Sequence, residues 1–167
     1  MPITDELLQV IHQTAAEIPT FDLRLGPGKD KGNGATKLFV KMVNEIAAQR
    51  WPDQVKQNFR AVPTTRMDFD LYVPSERTAI EIALSVRNPV SEYEKDILKA
   101  LLAQAGGLAL DRLILIGKKG SVEKRNEPAP LAIRNWAWEK HSLKVEVHEI
   151  AAVASATLAD DEPEEGD

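Results

Sequence analysis

Acidic side chains alternate with apolar ones on two neighbouring segments of the chain. The first segment, RMDFDLYV, carries Asp68 and Asp70 between apolar residues, and the second, TAIEIALSV, carries Glu81 in the same setting. Alternation of period two is typical of β-strands, and it places the acids of each strand on one face. Carboxylates that crowd together repel one another unless a proton or a divalent cation neutralises them. Metal binding is therefore the chemistry that these residues offer.

The turn between the two segments decides which acids meet. If residues 74–77, PSER, close a four-residue turn with the proline in its preferred early position, Val73 faces Thr78 and Asp70 faces Glu81. A slip of two residues instead brings the other aspartate opposite the glutamate. In both registers two or three carboxylates share one face of the hairpin.

The same alternation also describes the solvated outer face of an antiparallel hairpin. On that interpretation Asp68, Asp70 and Glu81 only face water. Ala79 and Ala83 flank Glu81 on its own face, and such small neighbours are more typical of a partly covered groove. Both interpretations stay open from the sequence.

Length and composition favour a single domain without thiol chemistry. The 167 residues include no cysteine, which excludes disulfides and thiolate metal sites and suits a reducing cytoplasm. We expect residues 1–150 to form the domain and residues 151–167, small and then acidic, to be disordered. No basic, apolar leader and no run of about twenty apolar residues is visible, so we expect a cytoplasmic protein without a membrane span.

The net charge of −5 conceals an almost neutral body. Six acids fall within residues 160–167, and without them 21 basic residues face 20 acidic ones. Positive charge is concentrated in two loops. Nucleic-acid binding is one explanation for these charges, and ordinary solvent exposure of the loops is the other. The candidate nucleic-acid contacts are these loop lysines and one arginine on the strand of the glutamate: Lys29, Lys31, Lys118, Lys119 and Arg87.

The periodic segments predict an order of elements. Residues 1–20 predict an amphipathic N-terminal helix with Thr4 as its N-cap, a second helix begins near residue 36, and a first strand precedes the hairpin. A capping box starts the next helix, whose predicted apolar stripe includes Ile97, Leu98 and Leu102. A buried strand, a helix with Trp136 facing inward and an edge-like strand complete the order. Such an order predicts an α/β fold, a mixed sheet with helices on both faces.

Residues 36–116 resemble the PD-(D/E)XK nuclease superfamily of restriction-endonuclease-like and Holliday-junction-resolvase-like enzymes. Met67-Asp68-Phe69 is similar to the family's Pro-Asp-hydrophobic element on the second strand, and Ile80-Glu81-Ile82-Ala83 is similar to its (D/E)-x-K element on the third. The resemblance implies a restriction-endonuclease-like mixed sheet, with an αβββαβ core over residues 36–117, a further helix and strand, and helices on both faces.

The resemblance also implies metal-assisted hydrolysis of phosphodiester bonds. A Mg²⁺- or Mn²⁺-dependent endonuclease is expected, with DNA as the nucleic-acid partner and a homodimer as the form that such small enzymes often take. Carried over by position, Asp68 and Glu81 are metal ligands and catalytic residues, and Asp70 is a further metal ligand if it faces Glu81.

One motif position departs from the family, because Ala83 stands where the family has a lysine that positions water and offsets charge. Lys95 on the following helix, or Arg87, can supply the missing charge, and Lys95 is expected to converge with Asp68 and Glu81 in one groove. Lys95 is equally explained as an exposed helix lysine. If nothing replaces the lysine, the domain is a catalytically degenerate subunit that binds DNA or protein. An unrelated interaction domain with solvated carboxylates is the third hypothesis.

Overall fold

A computed structural model describes residues 1–18, 33–84 and 89–150. The elements, in chain order, are α1 (Ile3–Glu17), α2 (Asn33–Arg50), β1 (Lys56–Arg60), β2 (Asp68–Val73), a 3₁₀ turn (Pro74–Glu76), β3 (Thr78–Ile82), α3 (Pro89–Ala105), β4 (Arg112–Gly117), α4 (Ser121–Arg125), α5 (Pro128–His141) and β5 (Lys144–Glu149). The predicted order of strands and longer helices is confirmed. The short helix α4 forms where the sequence predicted a charged loop.

The strands form one mixed sheet in the order β1-β2-β3-β4-β5. The first three strands are antiparallel neighbours, whereas β3, β4 and β5 run parallel to one another. Parallel neighbours need crossover connections, and α3 and α5 provide them. The predicted α/β class with a mixed sheet is therefore confirmed.

The β2–β3 hairpin has the register that the four-residue turn predicts. Val73 pairs with Thr78, and Leu71 pairs with Ile80. Arg77 ends the turn in the left-handed region, with φ of +49°. If this register continues for one more residue pair, Asp70 lies opposite Glu81. The alternative register, which is shifted by two residues, is therefore wrong.

Apolar residues form one core on each face of the sheet. On the first face, α1 and α2 pack against β2, β3 and β4 through buried side chains such as Leu7, Phe39 and Ile80. On the second face, α3 and α5 pack against the same strands, for example through Ile97 and Leu113. Each such side chain stabilises the fold by about 1.5–3 kcal/mol. Helices therefore cover both faces, as predicted.

Helix α3 packs through only part of the predicted face. Ile97 is buried as predicted, but Leu98 and Leu102 are 53% and 40% exposed, and Ala100 is buried in their place. The small side chain of Ala100 lets the helix lie close to the sheet, and the larger leucines then point outward. Trp136 on α5 is likewise exposed rather than inward.

The N-terminus of α1 is capped by the hairpin and not by Thr4. Helix α1 begins at Ile3, and the main-chain N–H groups of Ile3 and Thr4 both donate to the carboxylate of Glu76 in the 3₁₀ turn. A carboxylate at this position satisfies unpaired donors and favours the helix dipole. The contact ties the first helix to the hairpin.

Residues 19–32, 85–88 and 151–167 lie outside the described part of the chain. The predicted tail and three predicted nucleic-acid contacts, Lys29, Lys31 and Arg87, fall there. Among the described helices, none combines the length and the apolar character that crossing a bilayer requires.

Candidate active site

Strand β2 changes faces at Asp70. Phe69 packs in the core beneath α3 and α5, whereas Leu71, only two residues further on, packs beneath α1 and α2. On the neighbouring strand β1, Asn58 has a left-handed φ of +45°. Strict alternation is therefore lost at this point in the sheet.

The paired part of the β2–β3 ladder ends at Leu71 and Ile80. Beyond it, Oδ2 of Asp70 accepts a hydrogen bond of 2.7 Å from the main-chain N–H of Ile82. A side-chain oxygen thus takes the place that a main-chain carbonyl would have in a continued ladder. We call the opening between Asp70 on β2 and Glu81 on β3 the fork.

The ammonium group of Lys99, on α3, lies in the fork with a partner for each of its three N–H donors. It forms ion pairs with Glu81 and with Asp96, the latter at 3.2 Å, and it donates to the main-chain oxygen of Asp68 at 3.0 Å. Nζ also lies 5.2 Å from the ring centroid of Phe69, within cation–π distance. Lys99 is only 5% exposed, so its charge is held by protein atoms rather than by water.

Asp70, Glu81, Asp96 and Lys99 form what we call the fork cluster, in which three carboxylates share one ammonium. Burial, followed by repulsion from Asp70, raises the pKa of Glu81 well above its ordinary value despite Lys99. Burial also raises the pKa values of Asp70 and Asp96. Burial opposes the charge of Lys99, but attraction by Glu81 and Asp96 outweighs it and raises the pKa of Lys99. The cluster therefore favours a further cation or proton.

The structure brings together two of the three predicted acidic ligands, Asp70 and Glu81. The carboxylate of Asp68 instead pairs with Arg60 on β1 and is 38% exposed. The solvent-face interpretation therefore describes Asp68, but it is wrong for Glu81, which is 8% exposed. Strict period-two alternation predicts Asp68 and Asp70 on one face. That prediction fails because β2 changes faces between the two aspartates.

The predicted convergence of Lys95 with these acids is wrong. Its side chain is exposed and pairs with Glu92 on its own helix, with Nζ 3.1 Å from Oε2. Lys99, one turn further along α3, reaches Glu81 instead. Ion-pair spacing does not separate the two lysines, because Glu92 and Lys95 have the same i,i+3 spacing as Asp96 and Lys99.

A groove of about 610 Å³ opens beside the fork, between α2 and the sheet. Asp70 and Ile82 line it from the sheet, and Lys37, Lys41 and Glu45 line it from α2. Lys41 and Glu45 are exposed and 3.7 Å apart. The volume lies in the range of ligand-binding clefts. One acid of the fork cluster is thus presented to a groove that carries lysines.

The oxygen donors of the fork fit a magnesium site that water completes. Mg²⁺ usually binds one or two carboxylates together with water and substrate phosphate. Asp70 and Glu81 offer such a pair of carboxyl groups. Among the residues that the structure describes, no three acidic, histidine or cysteine side chains converge as metal ligands, so the described side chains do not form a closed cage.

No family model, no curated protein and no solved structure matches this chain.

Proposed function

We propose that this protein is a Mg²⁺-dependent nuclease of the PD-(D/E)XK type, which hydrolyses phosphodiester bonds of DNA at the fork. The observation that carries the proposal is the fork cluster itself, with buried carboxylates of raised pKa where two central strands separate. Perturbed titratable groups beside a cleft are typical of catalytic sites. The order of strands and helices, and a lysine supplied by the following helix, add support.

The groove offers a place for the nucleic-acid backbone. Lys37 and Lys41 line it on α2, and both side chains are exposed. Lysines that neutralise phosphates provide most of the sequence-independent affinity for DNA. A strand in this groove would pass Asp70, so its phosphates would come close to the fork.

The chain's own residues have distinct roles in this proposal. Asp70 and Glu81 would hold Mg²⁺, which supplies neutralisation of the scissile phosphate and a bound water of lowered pKa. The N–H of Ile82 fixes the carboxylate of Asp70, and Lys99 fixes that of Glu81. Lys99 remains an ammonium at neutral pH because its pKa is raised. It is therefore a positioning residue and a fixed positive charge, and not a general base.

Cleavage of labelled single-stranded, duplex and branched DNA, and of RNA, in Mg²⁺ or Mn²⁺ tests the proposal. Asp70→Asn and Glu81→Gln should abolish cleavage, whereas Asp68→Asn should retain it because Asp68 pairs with Arg60 outside the fork. Lys99→Met and Lys95→Met form a second matched pair, of which only Lys99→Met should impair cleavage. Analytical ultracentrifugation with and without duplex DNA tests the proposed homodimer.

Thermal unfolding provides a readout that does not depend on turnover. Mg²⁺ at ten times its Kd should stabilise the protein by about 1.4 kcal/mol, or about 3–6 °C in Tm. Glu81→Gln should lose this shift and Asp68→Asn should keep it. Absence of both cleavage and the Mg²⁺-dependent shift in the wild-type protein would overturn the proposal.

Binding of nucleic acid without cleavage is the second candidate function. One observation favours it: each donor of Lys99 already has a protein partner, and Ala83 offers no charge. No donor of Lys99 is then left to position water. Tight DNA binding through Lys37 and Lys41, with no cleavage in any metal, would identify this function.

A further inference from the structure

A second, smaller cavity lies on the other side of the fork cluster, at the carboxyl ends of the parallel strands β3 and β4. Its volume is about 100 Å³. Asp96 lines it and also contacts Lys99, so the cavity adjoins the fork. In open α/β sheets, the crevice outside the carboxyl ends of the strands is the usual ligand site.

Three basic side chains line this cavity, namely Lys118 after β4 and Lys124 and Arg125 on α4. Neither Lys118 nor Lys124 forms an ion pair with any residue that the structure describes. The guanidinium of Arg125 lies over the ring of Tyr93, with 4.5 Å between Cζ and the ring centroid. The wall formed by β4 and α4 therefore carries three basic side chains.

The acids that line the cavity already have ion-pair partners. Glu92 pairs with Lys95 at 3.1 Å, and Asp96, at 3.2 Å from Lys99, shares that ammonium with Glu81. Both lysines belong to α3, on the wall opposite α4. Lys118 and Lys124 have no ion-pair partner among the described residues, so a ligand that pairs with them should be an anion.

A close packing contact holds α4 over the end of β4. A Cβ atom on Gly117 would lie 2.2 Å from Oγ of Ser121, so only glycine permits this approach. Glu149 of β5 also accepts hydrogen bonds from the N–H groups of Gly120 and Val122, at 2.9 and 3.3 Å. These contacts fix the segment that carries Lys124 and Arg125 relative to Lys118.

The size of the cavity limits the kind of anion. At about 100 Å³, the cavity is far smaller than the roughly 300 Å³ of a site for a whole small molecule. A phosphate group fits this space, and a nucleoside attached to it would remain outside. Phosphate monoesters carry a charge of about −1.5 to −2 at pH 7, which suits three basic side chains.

We propose that this cavity binds a phosphate monoester, supplied by the terminal phosphate of a nucleic-acid strand or by a free nucleotide. We call it the terminal-phosphate pocket. The choice of nucleic acid as a source rests on the proposed function. A strand end held here would lie next to the fork, which would direct the fork toward bonds near phosphorylated ends.

Binding without cleavage tests the pocket. Short 3′-fluorescein-labelled DNA strands with a 5′-phosphate or a 5′-hydroxyl are compared by fluorescence anisotropy in EDTA, with adenosine 5′-monophosphate as the free nucleotide. The wild-type protein should bind the phosphorylated strand about ten-fold more tightly. Lys118→Ala/Lys124→Ala should lose this preference. Lys56→Ala/Lys140→Ala, which removes equal charge from exposed residues outside the pocket, should keep it.

The outcomes separate the sources and the two proposals. Adenosine 5′-monophosphate binding that only the Lys118→Ala/Lys124→Ala variant loses, without any preference between strands, would identify a free nucleotide as the ligand. The same result without any DNA binding would contradict the proposed nuclease function and still support the terminal-phosphate pocket. If neither probe distinguishes the two double variants, the terminal-phosphate pocket is wrong. Equal melting temperatures of the variants check that both are folded.

Discussion

Two charged clusters on this sheet use similar side chains and reach opposite electrostatic states. At the fork, three carboxylates share one ammonium, and burial raises the pKa values of all three acids. On β4 and β5, Glu146 is a single carboxylate among Arg112, Lys144 and His148. We call this second group the edge cluster.

In the edge cluster, basic side chains pair with both oxygens of the Glu146 carboxylate. Arg112 donates hydrogen bonds of 2.9 and 2.7 Å to the two oxygens of Glu146, and Lys144 lies 2.8 Å away. Burial alone would raise the pKa of Glu146, but these hydrogen bonds outweigh it and lower the pKa to about 2. At the fork, burial outweighs the single ammonium, and the pKa values of all three acids are raised instead. Titratable groups with perturbed pKa values are frequent at functional sites.

The largest effect should follow from removing the one ammonium of the fork. Lys99→Met leaves Glu81 and Asp96 buried without a cation, and we expect a loss of about 3–5 kcal/mol in the free energy of unfolding at pH 7. The loss should shrink as the pH falls, because carboxyls of raised pKa then become protonated. Urea unfolding at several pH values measures both effects.

Lys95→Met is the matched control for this change. It removes the same charge from an exposed position on the same helix, where the ion pair with Glu92 contributes under about 1 kcal/mol. Equal destabilisation by the two substitutions would contradict the central place of Lys99 in the fork.

A smaller effect is expected when the edge cluster loses its main cation. Arg112→Leu removes two charge-assisted hydrogen bonds and should cost about 2 kcal/mol. The cost is lower than at the fork because Lys144 and water still contact Glu146. Arg77→Met, which breaks an exposed pair with Asp111 at 2.8 Å, should cost under about 1 kcal/mol. Urea unfolding that ranks Arg77→Met above Arg112→Leu would contradict this order.

Local patterns in the sequence predict the hairpin well. Period-two alternation and a proline turn specify the pairing of Val73 with Thr78, and the structure has that pairing. The order of elements is predicted for the same reason, since each strand and longer helix has its own periodicity. The cap of α1 could not be predicted in this way, because Glu76 reaches Ile3 only through the tertiary fold.

The candidate site is predicted in part, and the errors have a common cause. The alternating spacing predicts the acids on the hairpin, but a buried face that includes the large leucines of α3 wrongly favours Lys95 as the basic residue of the site. In the structure, α3 packs against the sheet through the face that carries Ala100, and Leu98 is exposed. Helix orientation depends on how closely two surfaces approach, which hydrophobicity alone does not determine.

The pH dependence of stability should separate the edge cluster from the fork. The folded-state pKa of Glu146, about 2, lies below its ordinary value of 4.5. Glu146 therefore stabilises the fold above pH 4.5 and loses this contribution as the pH falls through about 2. Partial exposure of its side chain limits the effect to about 1–2 kcal/mol. Glu146→Gln should flatten the acid limb of the stability profile, and an unchanged limb would contradict the assignment.

The smallest effect should have the opposite sign. Asp70→Asn keeps an oxygen that can accept the 2.7 Å hydrogen bond of the Ile82 N–H and removes one uncompensated charge. Burial raises the pKa of Asp70 above 3.8, so the contribution of its carboxyl group to stability is present below pH 3.8 and lost as the pH rises through the folded-state pKa. We expect Asp70→Asn to be about 0.5–1 kcal/mol more stable than the wild type at pH 7, with the gain absent at pH 3.

Asp68→Asn is the control, because its exposed carboxylate pairs with Arg60 and the substitution should give no gain. Urea unfolding with and without Mg²⁺ completes the comparison. If the charge of Asp70 is kept for a cation, Mg²⁺ should stabilise the wild type and leave Asp70→Asn unchanged, so that the difference between them closes. A loss of stability in Asp70→Asn at pH 7 would instead mean that Asp70 serves the fold, as Glu146 does, and the contrast between the two clusters would fail.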